Sequence, residues 1–189
     1  MEAFLVSAGI VAIGEIGDKT QLLALMLAAR FRRPVPIVLG IFCATLANHA
    51  AAGAVGGLAR ALASPEVLRW GMGLSFLAIA IWALFPDRVD EAEAAATSRL
   101  GVFALTVATF FLAEIGDKTQ IATVVLAARY DSLVAVVAGT TCGMLLADVP
   151  AVLLGQAAAP KVPLKAVRMV AAALFALMGA GAIAGFNIL

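Results

Sequence analysis

Long apolar stretches, separated by short breaks that carry charges or prolines, run along the whole chain. A helix rises about 1.5 Å per residue and the hydrocarbon core of a bilayer is about 30 Å thick, so one crossing takes about 20 apolar residues. The pattern predicts six helices of this kind, at residues 3–29, 35–59, 70–86, 100–128, 133–159 and 169–188. The expected fold class is therefore an all-α membrane protein with six transmembrane helices.

The same pattern occurs twice. Residues 15–31 lie 99 positions before residues 114–130, and 11 of the 17 paired positions are identical. Three predicted helices per copy is an odd number, so the second copy must enter the membrane from the opposite side, as in the inverted repeats of many secondary transporters. We expect two inverted three-helix repeats, residues 1–86 and 100–189, joined by a cytoplasmic acidic linker at residues 87–99.

Composition excludes several other classes of protein. Hydrophobic residues make up 63% of the 189 positions and charged residues 13%, whereas a soluble domain has about 25% charged residues. The net charge of +1 provides no basic surface for nucleic acid, which we do not expect as a partner. The sequence has no HExxH pattern and no serine–lysine or serine–histidine dyad set, so we expect neither an enzyme nor a prosthetic group. The lipid bilayer is the expected environment, and a homodimer is left open.

Basic residues predict the orientation in the membrane. One side collects eight of them in its loops, namely Arg30, Arg32, Arg33, Arg88, Arg99, Lys161, Lys165 and Arg168. The other side has three, namely Arg60, Arg69 and Arg129. Because basic loops stay in the cytoplasm, we expect a multi-pass protein of the inner membrane with both chain ends in the periplasm.

The motif EIGDKTQ stands near the middle of the first and fourth predicted helices. An Asp or Lys at the bilayer centre costs about 2.5–3.5 kcal/mol on insertion scales, so charges that are kept there in both copies indicate function. The candidate metal ligands are Glu15, Asp18, Glu114 and Asp117. The candidate supporting residues along the transport pathway are Lys19, Thr20, Gln21, Asn48, Lys118, Thr119, Gln120 and Asp148.

Helical spacing predicts how each motif is arranged. Glu15 and Asp18, three residues apart, should share one face of a helix, with Gln21 adding a further oxygen near that face. Lys19 follows Glu15 by four residues and should form an intrahelical pair with it, and the second motif should do the same. A buried salt bridge that holds helices in register is the alternative interpretation of these pairs. His49 could be a proton relay, a partner of the fifth helix or a satisfied core residue.

The chemistry of the central groups favours a divalent cation. Carboxylate, amide and hydroxyl oxygens form a hard ligand set, which suits Ca²⁺, Mn²⁺ or Mg²⁺. Five carboxylates and two lysines leave a formal charge of minus three, so cations or protons must bind, and the same groups could exchange a metal for H⁺. The alternative is an exporter of a cationic organic solute such as a basic amino acid.

The repeated Glu-x-Gly-Asp-Lys-Thr, at Glu15–Thr20 and Glu114–Thr119, resembles the signature of a family of small cation/proton exchangers that includes bacterial manganese exporters and the Golgi transmembrane protein 165. The resemblance covers nearly the whole chain. It implies that the four motif acids bind Mn²⁺ or Ca²⁺ and that the ion leaves the cytoplasm in exchange for protons. The motif itself does not depart from the family signature. The second and fifth predicted helices differ from each other at their central polar positions, so the resemblance does not assign the residues that surround the motif acids.

We predict that a reporter fused at Leu189 lies in the periplasm and that a reporter inserted within residues 87–99 lies in the cytoplasm, from the unequal distribution of basic residues. Paired fusions to alkaline phosphatase, active only outside the cytoplasm, and to a fluorescent protein, active inside it, measure this. Fusions at Leu189 that are active only in the cytoplasm would reverse the orientation.

Overall fold

The computed structural model describes residues 1–85, 101–154 and 164–185. Within these residues it contains eight α-helices and no strand. They are α1 Glu2–Glu15, α2 Lys19–Phe31, α3 Pro34–Leu62, α4 Pro65–Ala83, α5 Val102–Glu114, α6 Lys118–Arg129, α7 Leu133–Leu154 and α8 Leu164–Ala184. The all-helical fold class is confirmed. The predicted acidic linker at 87–99 lies outside the described residues.

Two of the predicted helices are interrupted. The stretch predicted as one helix at 3–29 forms α1 and α2, and the stretch predicted at 100–128 forms α5 and α6. Each interruption falls inside the EIGDKTQ motif, after its glutamate and before its lysine. The expectation of a motif within a continuous helix was wrong, because the motif glycine adopts a positive φ that an α-helix does not contain.

Length and apolar character show which of the described helices could cross a membrane. Among the described residues, α3, α4 and α7 are each long and apolar enough to cross a membrane, while α5 and residues 168–184 of α8 are apolar but shorter. Large apolar side chains also cover the outer surface, including Leu74, Ile81 and Leu177, each more than half exposed. A surface of this kind suits contact with lipid, so the chain is a membrane protein.

Local signals in the sequence explain where α3 and α4 begin. Pro34 and Pro65 stand at the first helical position, where a missing amide N–H has no consequence. Ser64 caps α4, since its hydroxyl accepts a hydrogen bond from the amide of Val67 at 3.4 Å. Arg32 ends α2 in the left-handed conformation, with a φ of 52°. The connections that enter α3 and α4 are therefore short.

Two buried apolar clusters hold the half-helices in place. The first joins α2, α3, α5 and α7 and includes Leu23, Ile41 and Phe110. The second joins α4, α6, α7 and α8 and includes Leu126 and Phe175. The short helices that follow the motif interruptions, α2 and α6, each contribute to one of these clusters. Helices of this length are only marginally stable in isolation, so packing against the clusters stabilises them.

Contacts between the two copies are reciprocal. Gly40 of α3 lies against α5, where an added Cβ would come within 2.6 Å of Thr106 Cβ. Gly139 of α7 lies against α1, where an added Cβ would come within 2.9 Å of Ser7 Cβ. Gly139 follows Gly40 by 99 residues, and Thr106 follows Ser7 by the same number. The same glycine contact therefore forms in both directions between the two copies.

A second reciprocal contact joins α4 and α8. Phe76 and Phe175, also 99 residues apart, stack with their ring centroids 6.1 Å apart. Gly73 and Gly179 allow the two backbones to approach, because a Cβ on either glycine would lie within about 3 Å of the carbonyl oxygen of the other. The stacked rings are thus separated in the sequence by the same 99 residues as the two motifs.

We expect Gly56→Ala to lower the free energy of unfolding by about 1–3 kcal/mol, the usual cost of overpacking. The new methyl group would overlap the Val124 carbonyl oxygen and lie 2.8 Å from Ala127 Cβ. Gly57→Ala is the matched control in the same helix, because nothing lies within 4 Å of its added Cβ. Thermal unfolding of the purified variants measures both effects, and equal stability of the two would contradict the close approach of α3 to α6.

Candidate cation site

Each motif forms a short irregular turn between two half-helices. Gly17 and Gly116 have φ values of 82° and 77°, a region that glycine enters without steric cost. The Gln21 Oε1 atom accepts a hydrogen bond from the Gly17 amide at 2.9 Å, and the Gln120 Oε1 atom accepts one from the Gly116 amide at 2.7 Å. The glutamines therefore satisfy amides that the interruption leaves unpaired, as irregular backbone inside a membrane requires.

A carboxylate stands on either side of each turn. Glu15 and Glu114 are the last residues of α1 and α5, while Asp18 and Asp117 immediately precede α2 and α6. All four side chains are buried. Negative charge at the N-terminus of a helix is favoured by about 0.3–1 kcal/mol through the helix dipole, so the two aspartates stand where their charge costs least.

Three of the acids converge across the two copies. One carboxylate oxygen from each of Glu15, Glu114 and Asp117 lies within 4.8 Å of the other two. Metal–oxygen distances of about 2.1–2.6 Å place ligand oxygens at separations of this order, so the three acids can bind one divalent cation together. Asp18 is not part of this trio.

The motif lysines pair with aspartates of the opposite motif. The Lys19 Nζ atom lies 3.3 Å from Asp117 Oδ1, and Lys118 forms an ion pair with Asp18. The predicted glutamate–lysine pairs within each motif were wrong, because the helix interruption between these residues removes the one-turn spacing that such pairs need. The crossed pairs instead join the two copies at the site.

Threonine hydroxyls orient the carboxylates. The Thr20 hydroxyl donates a hydrogen bond to Glu15 Oε2 at 2.6 Å. In the second motif, the Thr119 Oγ1 atom lies 3.3 Å from Glu114 Oε2 and 3.4 Å from Asp117 Oδ2. The hydroxyl in the second motif can therefore serve either of two acids, whereas the one in the first motif serves a single acid.

Helices α3 and α7 contact the motif turns through polar groups. The Asn48 Nδ2 atom donates a hydrogen bond to the Phe111 carbonyl oxygen at 3.0 Å, and Asn48 Oδ1 accepts one from Gln120 Nε2 at 3.4 Å. Gln21 of the first motif donates instead to the backbone carbonyl oxygen of Ala147 at 3.1 Å. Ala147 is the counterpart of Asn48, so a main-chain acceptor in α7 replaces the side-chain acceptor in α3.

His49 and Asp148 occupy equivalent positions in α3 and α7, and both are fully buried. Neither imidazole nitrogen and neither carboxylate oxygen has a hydrogen-bond partner among the described residues. Since buried polar groups in proteins are usually hydrogen-bonded, these two side chains leave polar atoms available inside the structure. The interpretation of His49 as a satisfied core residue finds no support in the described part of the chain.

The predicted acids meet in one region, whereas their connections differ from the prediction. Glu114 interacts electrostatically with Glu15, Asp18, Asp117 and Asp148. The oxygens of the motif glutamines accept hydrogen bonds from backbone amides, a role that the spacing did not predict. Sequence reasoning also missed the two backbone carbonyl groups that accept hydrogen bonds from the polar side chains, because a carbonyl group carries no residue-specific signal.

Comparison with known proteins adds independent evidence on the family. Residues 3–91 and 102–185 match the family described as divalent cation/proton antiporter GDT1. The chain belongs to the GDT1 family. The prediction made from the repeated motif is confirmed, and so is divalent-cation export as the function. GDT1 proteins are described as antiporters, which are transporters rather than enzymes.

Two relatives show how far the similarity extends. A Vibrio cholerae protein named "Putative manganese exporter" is 51% identical over 179 residues, which cover 94% of this chain and 88% of the relative. A Synechocystis protein named "GDT1-like protein sll0615" is 28% identical over 213 aligned residues, covering 94% of both chains. No solved structure matched the chain.

We expect Gly116→Ala to destabilise this GDT1 protein by about 1–2 kcal/mol, the cost of placing an L-residue in the left-handed region. The effect is one of backbone strain alone, because nothing lies within 4 Å of the added Cβ. Gly101→Ala is the matched control, since its Cβ also meets open space and its φ is −59°. If both variants unfold at the same temperature, the turn does not require the positive φ.

Proposed function

We propose that this GDT1 protein exports Mn²⁺ from the cytoplasm in exchange for protons. Glu15, Glu114 and Asp117 bind the ion during transport, and Asp18, the fourth acid that the motif predicted as a ligand, instead pairs with Lys118. The observation that carries the proposal is the approach of three buried carboxylates, from both copies of the motif, to within 4.8 Å of one another. Such a cluster is costly without a cation, so its position in the middle of the chain's membrane helices favours transport.

The donor atoms favour a hard metal ion. All three acids of the trio offer oxygen, and neither a thiolate nor an imidazole belongs to it, which makes Zn²⁺ or Cu⁺ poor substrates. Mn²⁺ and Ca²⁺ both suit carboxylate oxygens. The name of the Vibrio relative, a manganese exporter, favours Mn²⁺ as the first substrate, with Ca²⁺ as the second. The ion is cargo, so transport needs no prosthetic group.

Charge balance supports coupling to protons. Five carboxylates and two lysines at the centre carry a formal charge of minus three, and the carboxylates are buried. When the metal leaves, part of this charge must be neutralised again, because unpaired buried charges are strongly destabilising. Protons are the cations that a carboxylate binds covalently, so occupation of shared carboxylates by either ligand couples metal efflux to proton entry.

The proposed architecture is an inner-membrane protein of two inverted three-helix repeats, residues 1–86 and 100–189. Residues 87–99 form the cytoplasmic linker, and both chain ends lie in the periplasm. The reciprocal glycine contacts, the stacked phenylalanines and the crossed lysine–aspartate pairs are what a two-fold relation between the repeats would produce. Alternating exposure of a central site between such repeats is how many secondary transporters work.

Flux through reconstituted protein tests the proposal. Proteoliposomes with an internal pH dye are given gradients of Mn²⁺, Ca²⁺ or Mg²⁺ in parallel, and a basic amino acid serves as the organic alternative. We expect Mn²⁺ to drive the largest opposite movement of protons, with Ca²⁺ next. Metal movement without any change of internal pH would overturn proton exchange, and flux driven only by the amino acid would overturn metal export.

We expect Glu15→Gln and Glu114→Gln each to lower Mn²⁺ flux at least tenfold, which corresponds to about 1.4 kcal/mol or more of lost binding. Glutamine keeps the size of the side chain and removes the ligand's negative charge. Neither change removes the aspartate partner of a lysine, so the folded protein should persist.

Glu66→Gln is the matched control, because Glu66 is exposed in the first turn of α4. This variant should transport as the parent does. Asp18→Asn is a less suitable test, since it would leave the buried Lys118 without its aspartate charge, at a cost of about 3–5 kcal/mol. Parental Mn²⁺ flux in both site glutamine variants would exclude the trio as the transport site.

A further inference from the structure

We propose that Lys19 is an exchangeable internal cation, whose ammonium group occupies Asp117 in the absence of metal and is displaced when a metal ion binds the trio. Lys118, at the same position of the other motif, is instead the lasting counter-ion of Asp18. The inference rests on the proposed function of the site. It assigns to two identical motif positions two different roles.

The two lysines differ in burial. The Lys19 side chain is 23% exposed and its Nζ atom lies 3.3 Å from Asp117 Oδ1. The Lys118 side chain is only 3% exposed, and it is paired with an aspartate that is fully buried. A partly exposed ammonium group has room to move away from its partner, whereas a fully enclosed one that moved would leave two buried charges uncompensated.

Their aspartate partners differ as well. Asp117 belongs to the trio with Glu15 and Glu114, whereas Asp18 does not. A metal ion on the trio would therefore contact a carboxylate that Lys19 already occupies. The ammonium of Lys118 meets no such competition, because the acid that it pairs with stands outside the trio.

Electrostatics decides the result of this competition. A divalent ion within coordination distance of Asp117 and an ammonium group on the same carboxylate would stand a few ångströms apart, and like charges at that separation repel strongly in a medium of low dielectric constant. Lysine has a flexible four-carbon stem, so Lys19 can retreat while its backbone stays in the first turn of α2. Metal binding thus requires Lys19 to leave, and the return of Lys19 assists metal release.

This role predicts an uncommon effect of mutation, namely that removal of a site residue strengthens metal binding. Without a competing ammonium group, the ion should bind more tightly and leave more slowly. The Michaelis constant and the turnover number for Mn²⁺ transport should then fall together, whereas a residue that only stabilises the fold would not lower the Michaelis constant.

The test compares Lys19→Gln, Lys19→Arg and Lys118→Gln with the parent. Mn²⁺ binding is measured by calorimetry on the purified full-length proteins over a range of pH values, so that competition by protons is separated from competition by the lysine. Transport kinetics and thermal unfolding are measured on the same preparations. We expect Lys19→Gln to lower the dissociation constant about tenfold or more and to slow turnover. Lys19→Arg retains a cation and should bind no more tightly than the parent.

Lys118→Gln is the control for position. We expect it to unfold at a lower temperature without any gain in affinity. An affinity of Lys19→Gln for Mn²⁺ that is equal to or weaker than that of the parent would overturn the inference, and so would a gain of affinity in Lys118→Gln as large as that in Lys19→Gln. Failure of the proposed site looks different: the parent would then bind no Mn²⁺, or Glu114→Gln would bind it as the parent does.

Discussion

Buried negative charge is the constraint on which the centre of this protein depends. An ionised carboxylate costs several kcal/mol when it is removed from water without a partner. In the part of the chain that the structure describes, five carboxyl groups are buried, namely those of Glu15, Asp18, Glu114, Asp117 and Asp148. Two crossed lysine–aspartate pairs, two threonine hydroxyls and two helix N-termini offset part of this cost. These groups do not balance all of the negative charge, and the remaining charge is the basis of the cation and proton binding that we propose.

Interruption of the helices is what makes this compensation possible. In a continuous helix the glutamate and lysine of one motif would share a face and neutralise each other. The lysines would then not be needed as partners for the aspartates of the opposite motif. The positive φ at Gly17 and Gly116 ends one half-helix and starts the next, so that each lysine reaches the aspartate of the other copy. The glutamine three residues after the aspartate then caps the glycine amide, which keeps the interruption compatible with a membrane interior.

Identical motif sequences acquire unlike surroundings in the folded chain. The Lys118 side chain is almost fully buried while the Lys19 side chain is partly exposed, and α3 has His49 where α7 has Asp148. A transporter opens its site to one side of the membrane at a time. Equivalent residues of its two repeats can therefore have different surroundings in any one conformation. The asymmetry therefore lies in the environment of the motifs, which their sequences do not encode locally.

The sequence by itself determined that the chain is helical, duplicated and membrane-embedded, and which acids are buried. Apolar length, repeat identity and charge within apolar stretches are local features, and the motif also identified the family. The sequence did not determine that two of the predicted helices are interrupted. An isolated glycine in a helical pattern is usually tolerated, and its φ is set by its surroundings. Nor could the sequence pair Lys19 with Asp117: local spacing favoured Glu15, four residues away, over an acid in the other copy. Only the tertiary structure decided these contacts, since the partner of a buried charge is whichever opposite charge the packing of the two copies brings nearest.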